Sequence, residues 1–298
     1  MRIRVAATVI SGAAVLSALV VPVAAQAAQG PDARARLSSL SAHSVGTAKS
    51  ANAASTAKTV RPMDAVGDIS FSKGVVNGGK DIVLSTTTRQ SVTATYTATS
   101  ANGVALTEAF LWQGTDPSSV DTITGALGTD DDPVCTESTT RTGVYSCKAV
   151  FHISAATDMK YNGAAGTWKL ALGGYDLSVN ASFDDNVTTA KIKKASKLTV
   201  NAAPEPVKKG KTVTVTGKLT RANWDTGTYG GYAGQKVVLQ FRKKTSSTYT
   251  NVKGITAGAG GALKTTTKAT VDGYYRFSFA TNTTTGASTA AGDYVDVK

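Results

Sequence analysis

The sequence predicts an all-β chain, two tandem β-sandwiches that follow a signal peptide and a disordered neck. Three observations carry that expectation. Apolar and polar residues alternate in short runs along residues 68–298, the period of a strand with one buried face. Gly, Asn and Asp separate the runs at short intervals, as turns require. Beyond the neck, no stretch of useful length keeps the i, i+3, i+4 spacing of an amphipathic helix.

Residues 1–27 read as an export signal. Arg2 and Arg4 form a positive start, and Val5 to Val21 is an uncharged, apolar-rich run of 17 residues. Pro22 breaks the run, and Ala25-Gln26-Ala27 fits the small-residue cleavage rule. The run is shorter than the ~20 residues that span a bilayer, and no second apolar run follows. A secreted protein without a transmembrane anchor is therefore expected. No Cys lies near the cleavage point, which argues against a lipid anchor.

Residues 28–67 form the neck. Its aliphatics beyond Ala are Leu37, Leu40, Val45, Val60, Met63 and Val66, and it has no aromatic residue. Such a segment cannot bury enough apolar area to offset its ordering entropy. A disordered spacer or propeptide is predicted, although Leu37 and Leu40, three apart, leave room for a short helix.

Residues 68–196 form the first module. Val92, Ala94, Tyr96 and Ala98 share one face, as do Tyr145, Cys147, Ala149 and Phe151, and Trp168, Leu170 and Leu172. Asn77-Gly78-Gly79 and Gly173-Gly174 read as turns. The boundary falls near Lys194–Leu198, and residues 197–298 form the second module. There Val213 and Val215 share a face, as do Val237, Leu239 and Phe241. Tyr275, Phe277 and Phe279 make a third set, opposed by Tyr274, Arg276 and Ser278, and Tyr294 to Val297 makes a last strand. Pro204 and Pro206 suit a kinked or edge strand near the module boundary.

SKLTVNAAPEPVKKGKTVTVTGKLTRANW, GYAGQKVVLQFRKK, DGYYRFSFA and the terminal GDYVDVK resemble the C-terminal module of secreted proteins from Streptomyces-type actinobacteria. VVNGGKDIVL, the Cys pair and AGTWK resemble their N-terminal partner. The pattern V-x-x-G-x-x-V-x-V-x-G-x-L followed by V-x-L-x-F resembles bacterial immunoglobulin-like sandwiches. The resemblance implies export, tandem immunoglobulin-like β-sandwiches and no established reaction. Some relatives carry a calcium-binding label.

Composition excludes much chemistry. Among 298 residues there are two His and two Cys, too few for a zinc, haem or iron–sulfur site built on several such ligands. His43 lies in the neck. His152 sits out of phase with the Cys147–Phe151 face and is expected to point to solvent. G-x-S-x-G and H-E-x-x-H are absent. Two S-x-x-K strings, Ser55 with Lys58 and Ser70 with Lys73, lack the S-D-N and K-T-G partners of a penicillin-binding site. Glu108, Glu137 and Glu205 sit in no recognisable catalytic context. The chain is read as non-enzymatic.

Charge is distributed unevenly. The formal net charge is +12. Residues 68–196 hold 10 Lys+Arg against 13 Asp+Glu, whereas residues 197–298 hold 15 against 5. Lys208, Lys209 and Lys211 cluster, as do Arg242, Lys243 and Lys244. A basic exported module attracts anionic polymers at long range. The expected partner is an anionic cell-wall polymer or surface glycan rather than nucleic acid, and the expected role is structural or adhesive. The alternative is a carbohydrate- or calcium-binding extracellular module. For carbohydrate, the residues are Trp224, Tyr229 and Tyr232 in a Gly-rich loop, which would stack on sugar faces unless they simply cap the sandwich. For calcium, they are Asp130, Asp131 and Asp132, with Asp184-Asp185-Asn186 as a second acidic cluster. The D-x-D-x-D-G-x5-E loop is missing, so no metal site is assigned.

Cys135 and Cys147 lie 12 residues apart on strand-like runs. Export and an even count predict a disulfide, which closes a short loop and contributes about 2–3 kcal/mol by the loop-entropy model. Alkylation of the unreduced protein should add no mass. Two alkylated thiols in the intact-mass spectrum would remove the bridge.

Overall fold

The computed structural model describes residues 31–50 and 69–298. The signal peptide predicted at 1–27 and the later part of the predicted neck lie outside the described residues.

The first module is built from β1 (Ser70–Val76), β2 (Ile82–Leu84), β3 (Arg89–Thr99), β4 (Val104–Gly114), β5 (Ile123–Gly128), β6 (Val134–Glu137), β7 (Val144–Ser154), β8 (Gly166–Asp176) and β9 (Ala181–Lys194). One sheet has the order β1-β3-β7-β6 and the other β2-β9-β8-β4-β5. All pairings are antiparallel except β2 on β9. These orders reproduce the two facing sheets of an immunoglobulin-like sandwich. Between them lie Val92, Ala94, Tyr96, Ala149, Phe151, Trp168, Leu170 and Leu172, all buried, the side chains that period-two alternation selects. A polar tie crosses this core, with the Tyr96 hydroxyl 2.7 Å from Thr107 Oγ1. Burial pushes the Tyr96 phenol up to about 12.

Cys135 and Cys147 stand directly opposite each other on β6 and β7 and are bridged. The bridge ties neighbours within one sheet, unlike the inter-sheet disulfide of antibody domains.

The second module contains β10 (Ser196–Leu198), β11 (Asn201–Ala203), β12 (Thr212–Asn223), β13 (Thr228–Gly231), β14 (Lys236–Lys243), β15 (Thr250–Thr256), β16 (Ala262–Lys268), β17 (Gly273–Phe279), β18 (Ser288–Thr289) and β19 (Asp293–Val295). β12 pairs with β10, β11, β13 and β16, while β14 joins β15 to β17, which also pairs with β18 and β19. Val213, Val215, Val237, Leu239, Tyr275, Phe277 and Phe279 fill the space between the sheets. The chain is thus all-β in two tandem immunoglobulin-like sandwiches, with one α-helix among the described residues.

That helix corrects the reading of the neck. Where a disordered spacer is predicted, α1 (Pro31–Ser50) forms. Pro31 suits the first helical position because its fixed φ is already helical. Ala33, Leu37, Leu40 and Ser41 follow the spacing of one helix face, and this face lies on the outer surface of the five-stranded sheet. Ala33 and Leu37 are fully buried there among Phe110, Trp112, Ile123, Ala126 and Ala171, with Leu40 and Phe183 at the margin. Arg36 pairs with Glu108 at 3.0 Å, Arg34 donates to the Thr124 carbonyl at 2.7 Å, and Ser38 donates to the Ser118 carbonyl at 2.8 Å.

Gly173-Gly174 is a second correction. These residues lie inside β8 rather than in a turn. A Cβ on Gly174 would come within 2.5 Å of the Leu106 carbonyl oxygen, and one on Gly173 within 3.3 Å of Leu40. The pair is small because backbone and helix approach closely, not because the chain reverses. Asn77-Gly78-Gly79 does turn, with all three residues at positive φ.

Burying a leucine side chain is worth about 1.5–3 kcal/mol, so Leu37 is a main anchor of α1. Leu37→Ala is expected to weaken docking by about 2–5 kcal/mol. Limited proteolysis should then cut within residues 31–50, and the Trp112 emission should shift to the red. Protection and emission matching the wild type would remove the anchor role.

Candidate functional site

Two regions collect the aromatic and basic side chains that the sequence singles out: the joint between the modules, and the far end of the second module.

At the joint, β9 ends at Lys194 and β10 begins at Ser196. Asn162, in a short turn of the first module, reaches into the second. Its backbone N–H donates to Asp225 Oδ1 at 2.8 Å, and its side-chain N–H groups donate to Asn223 Oδ1 at 2.7 Å and to Asp225 Oδ2. Its Oδ1 accepts from the Trp224 backbone N–H at 3.1 Å and from Lys194 Nζ at 3.3 Å. Lys193, buried, donates to Asp81 at 2.6 Å in one module and to Thr281 at 2.7 Å in the other. Burial pushes the Lys194 ammonium below its ordinary value, and the nearby Arg221 charge adds to this.

The carbohydrate alternative fails at this joint. Trp224 is only 5% exposed and packs with Ala222 against the core of the first module, so it offers no face to a sugar. Tyr229 is half-buried against the same core, with Lys197 Nζ 3.9 Å from its ring. Tyr232 lies edge-on to Phe279, under the Arg221 guanidinium at 4.0 Å, and accepts from Asn282 at 2.9 Å. These aromatics hold the molecule together.

The acidic triplet does not assemble either. Asp130 Oδ2 lies 2.8 Å from Arg89 and 2.7 Å from His152 Nδ1, so His152 is engaged rather than simply turned to solvent. Asp131 and Asp132 are exposed. Among the described residues, no three His, Cys, Asp or Glu side chains are grouped so as to hold a metal ion.

The basic clusters come together. β12 starts, β16 and β14 end, and β17 starts at the end of the second module opposite the joint. Lys208, Lys209 and Lys211 lie in the turn before β12, exposed and without an ion pair among the described residues. Pro204 and Pro206 lead into this turn, away from the joint. The Lys209 N–H donates to the Lys298 carbonyl at 2.7 Å, and the Lys298 N–H donates to the Val207 carbonyl at 2.9 Å. Next to Lys298, the Val297 N–H donates to Asp272 Oδ1 at 2.9 Å, and the Lys244 N–H donates to the Asp272 carbonyl at 2.9 Å. The C-terminal segment thus sits between clusters that are more than 30 residues apart in sequence. The Val297 N–H holds the Asp272 carboxyl below its usual range, aided by the Tyr294 hydroxyl and Lys244. Tyr294, then Asp272, pushes the Lys244 ammonium up.

Arg242 parts from its neighbours. Lys243 and Lys244 are exposed at the tip, while Arg242 lies half-buried on the outer sheet face, 3.8 Å from the Tyr274 ring. The tyrosines of that face escape a search for clustered aromatics, because Tyr249, Tyr274 and Tyr294 are spread along the chain. The available signal was alternation: Arg242, Tyr274 and Arg276 fall at outward positions of strands whose inward positions are apolar.

No protein-family model matches the chain, and no curated protein is similar to it. Among solved structures, the fibronectin(III)-like modules of Clostridium thermocellum CbhA are similar at 11% identity and a TM-score of 0.29, over 76% of this chain and 95% of that one. The D00-D0 domain of intimin is similar at 15% and 0.24, over 75% and 99%. Titin domains A168–A170 are similar at 9% and 0.26, over 76% and 66%. Likeness this low carries no argument about binding, and the architecture rests on the strand pairing described above. Among the described residues, no helix is long and apolar enough to cross a membrane.

The joint gives a direct test. Trp224→Ala is expected to cost about 3–5 kcal/mol, the scale for emptying a buried aromatic site. Solution scattering should show a wider spread of module orientations, and Asn162→Ala should shift the profile the same way. Scattering profiles identical to the wild type in both variants would show that other contacts fix the orientation.

Proposed function

We propose that this protein is an exported, non-enzymatic structural or adhesive protein that holds an anionic extracellular polymer at the free tip of its second module. The observation that carries the reading is the meeting of Lys208, Lys209 and Lys211 with Lys243 and Lys244 around the C-terminal segment. Dispersed basic residues would serve solubility alone. Lysines gathered at one end, opposite the joint, concentrate a positive field where a long partner can reach it.

Export is supported by the signal-peptide reading of residues 1–27 and by the bridged cysteines, since disulfides persist in oxidising compartments. The resemblance to secreted actinobacterial proteins points to a phosphate- or carboxylate-bearing polymer of the cell wall, or an anionic surface glycan, as the partner. Calcium remains an expectation of that resemblance, and no site for it is assigned.

The test is sedimentation of the full-length protein with purified cell wall across a salt series. Binding should weaken steeply with salt, because exposed charges are screened beyond ~8 Å at physiological ionic strength. Changing Lys208, Lys209 and Lys211 to Gln should weaken binding by about 1 kcal/mol per charge, the scale for a basic residue near an anionic surface, or roughly fivefold each. Binding indifferent to both salt and these changes would overturn the electrostatic reading.

A further inference from the structure

The outer face of β14 and β17 is unusual for a solvated sheet. Its inward side chains, Leu239, Phe241, Tyr275 and Phe277, belong to the core. The outward positions could all be Thr or Ser, as on much of this chain. Instead Gln240 stands opposite Arg276, and Arg242 opposite Tyr274. Tyr294 on β19 pairs with Tyr274, their ring centroids 5.2 Å apart. Tyr249, just before β15, reaches across this face. Its ring lies 3.6 Å from the Arg276 guanidinium carbon and 5.4 Å from that of Arg242. Gly292 makes room for it, since a Cβ there would overlap the Tyr249 hydroxyl.

The result is a continuous strip, Arg276–Tyr249–Arg242–Tyr274–Tyr294, which runs on to Lys244 at the tip, 5.3 Å from the Tyr294 ring. All five members of the strip are partly open to solvent. The two arginines are held by neutral groups. Arg276 Nε donates to Gln240 Oε1 at 2.9 Å, and Arg242 donates to the Ser246 carbonyl at 2.9 Å. Neither forms an ion pair among the described residues. A purely architectural arginine on a sheet face is readily neutralised by a cross-strand carboxylate. Here the guanidiniums are fixed in place and their charge is left unspent.

We propose that this strip is a binding surface for an anionic glycan, with the tyrosines lying against sugar rings and Arg242 and Arg276 receiving the oxyanion. A guanidinium fork matches a carboxylate or phosphate in two parallel hydrogen bonds. A tyrosine ring already backed by a cation presents a flat, amphipathic surface that suits the C–H face of a pyranose. Lysines at the tip would accept any polyanion, whereas the strip needs sugar and oxyanion in succession. The inference rests on the polymer-binding reading above and names its ligand class.

The experiment titrates the full chain with four probes: polygalacturonate oligosaccharide, a hexose-phosphate polymer, inorganic polyphosphate and a neutral galactan. Affinities and the aromatic proton spectrum are followed. Ring signals of the strip tyrosines should shift with the two anionic glycans and stay in place with polyphosphate. Tyr249→Ala, Tyr274→Ala and Arg242→Lys should each lower the glycan-to-polyphosphate affinity ratio at least fivefold. Arg242→Lys keeps the charge and removes the planar fork. The relative response of the two glycans tells whether carboxylate or phosphodiester is preferred. Unmoved tyrosine signals in the wild type, or unchanged affinity ratios in folded variants, would overturn the glycan strip and leave tip binding standing. Failure of the wild type to bind any polyanion would overturn both.

Discussion

A sheet that is apolar on both faces must be covered on both faces, and the first module is organised around that constraint. Four successive residues of β4, Ala109 to Trp112, are buried, as are Leu170, Ala171 and Leu172 of β8. Alternation sends Leu111, Leu170 and Leu172 toward the opposing sheet and Phe110, Trp112 and Ala171 the other way. The second set would form an exposed apolar patch of the kind soluble surfaces avoid. α1 covers it. Most of a helix's stability in a protein comes from packing its apolar face rather than from propensity, so the sheet is what orders it. Its ion pair with Glu108 and its bonds to Thr124 and Ser118 fix position more than they add stability, since exposed pairs are worth little.

The same sheet delivers the joint. β9 runs from Phe183, beside the helix, to Lys193 and Lys194, which leave the first sandwich as buried ammonium groups. Burying such charges is costly unless each finds good partners. Asp81, Thr281 and Asn162 are those partners, and they come from both modules. Charge burial of this kind adds little net stability, and Asp81 and Asn162 belong to the same module as their lysines; a shifted second module would cost Lys193 its bond to Thr281 and Asn162 its bonds to Asn223, Trp224 and Asp225. Trp224 adds the apolar half of the contact. The free end of the second module is thereby held away from the first, whose charge balance is acidic.

The strands were legible because burial repeats every second residue within a single element, as at Val213–Val215 or Tyr275–Phe279. What escaped depended on contacts between elements. The neck sequence lacks the apolar content of a stable helix, and the clue lay far along the chain, in the unbroken apolar runs of β4 and β8, which demand two covers. Gly173-Gly174 reads as a turn until Leu40 and Leu106 are placed against it. Trp224 in a Gly-rich loop reads as a sugar platform or a cap, and its place at the joint escapes because composition does not reveal what lies opposite. Each lysine cluster was visible, but their meeting depends on the C-terminal segment passing between them, which local pattern cannot supply.

The division between lysine and arginine in the second module follows the physics of each group. The tip lysines are exposed, flexible point charges, suited to attraction at a distance and indifferent to the shape of what they attract. Arg242 and Arg276 are planar, seated on tyrosine rings and tied by neutral acceptors, so much of the entropy cost of ordering them is met before any ligand arrives. The attraction of every exposed charge fades within a screening length of ~8 Å; what the stacked guanidiniums add is a fixed planar fork at contact, where geometry decides. Lys244 and Tyr294 lie where the two regions join. On the proposed reading, a chain drawn to the tip meets the arginine–tyrosine face without leaving the surface.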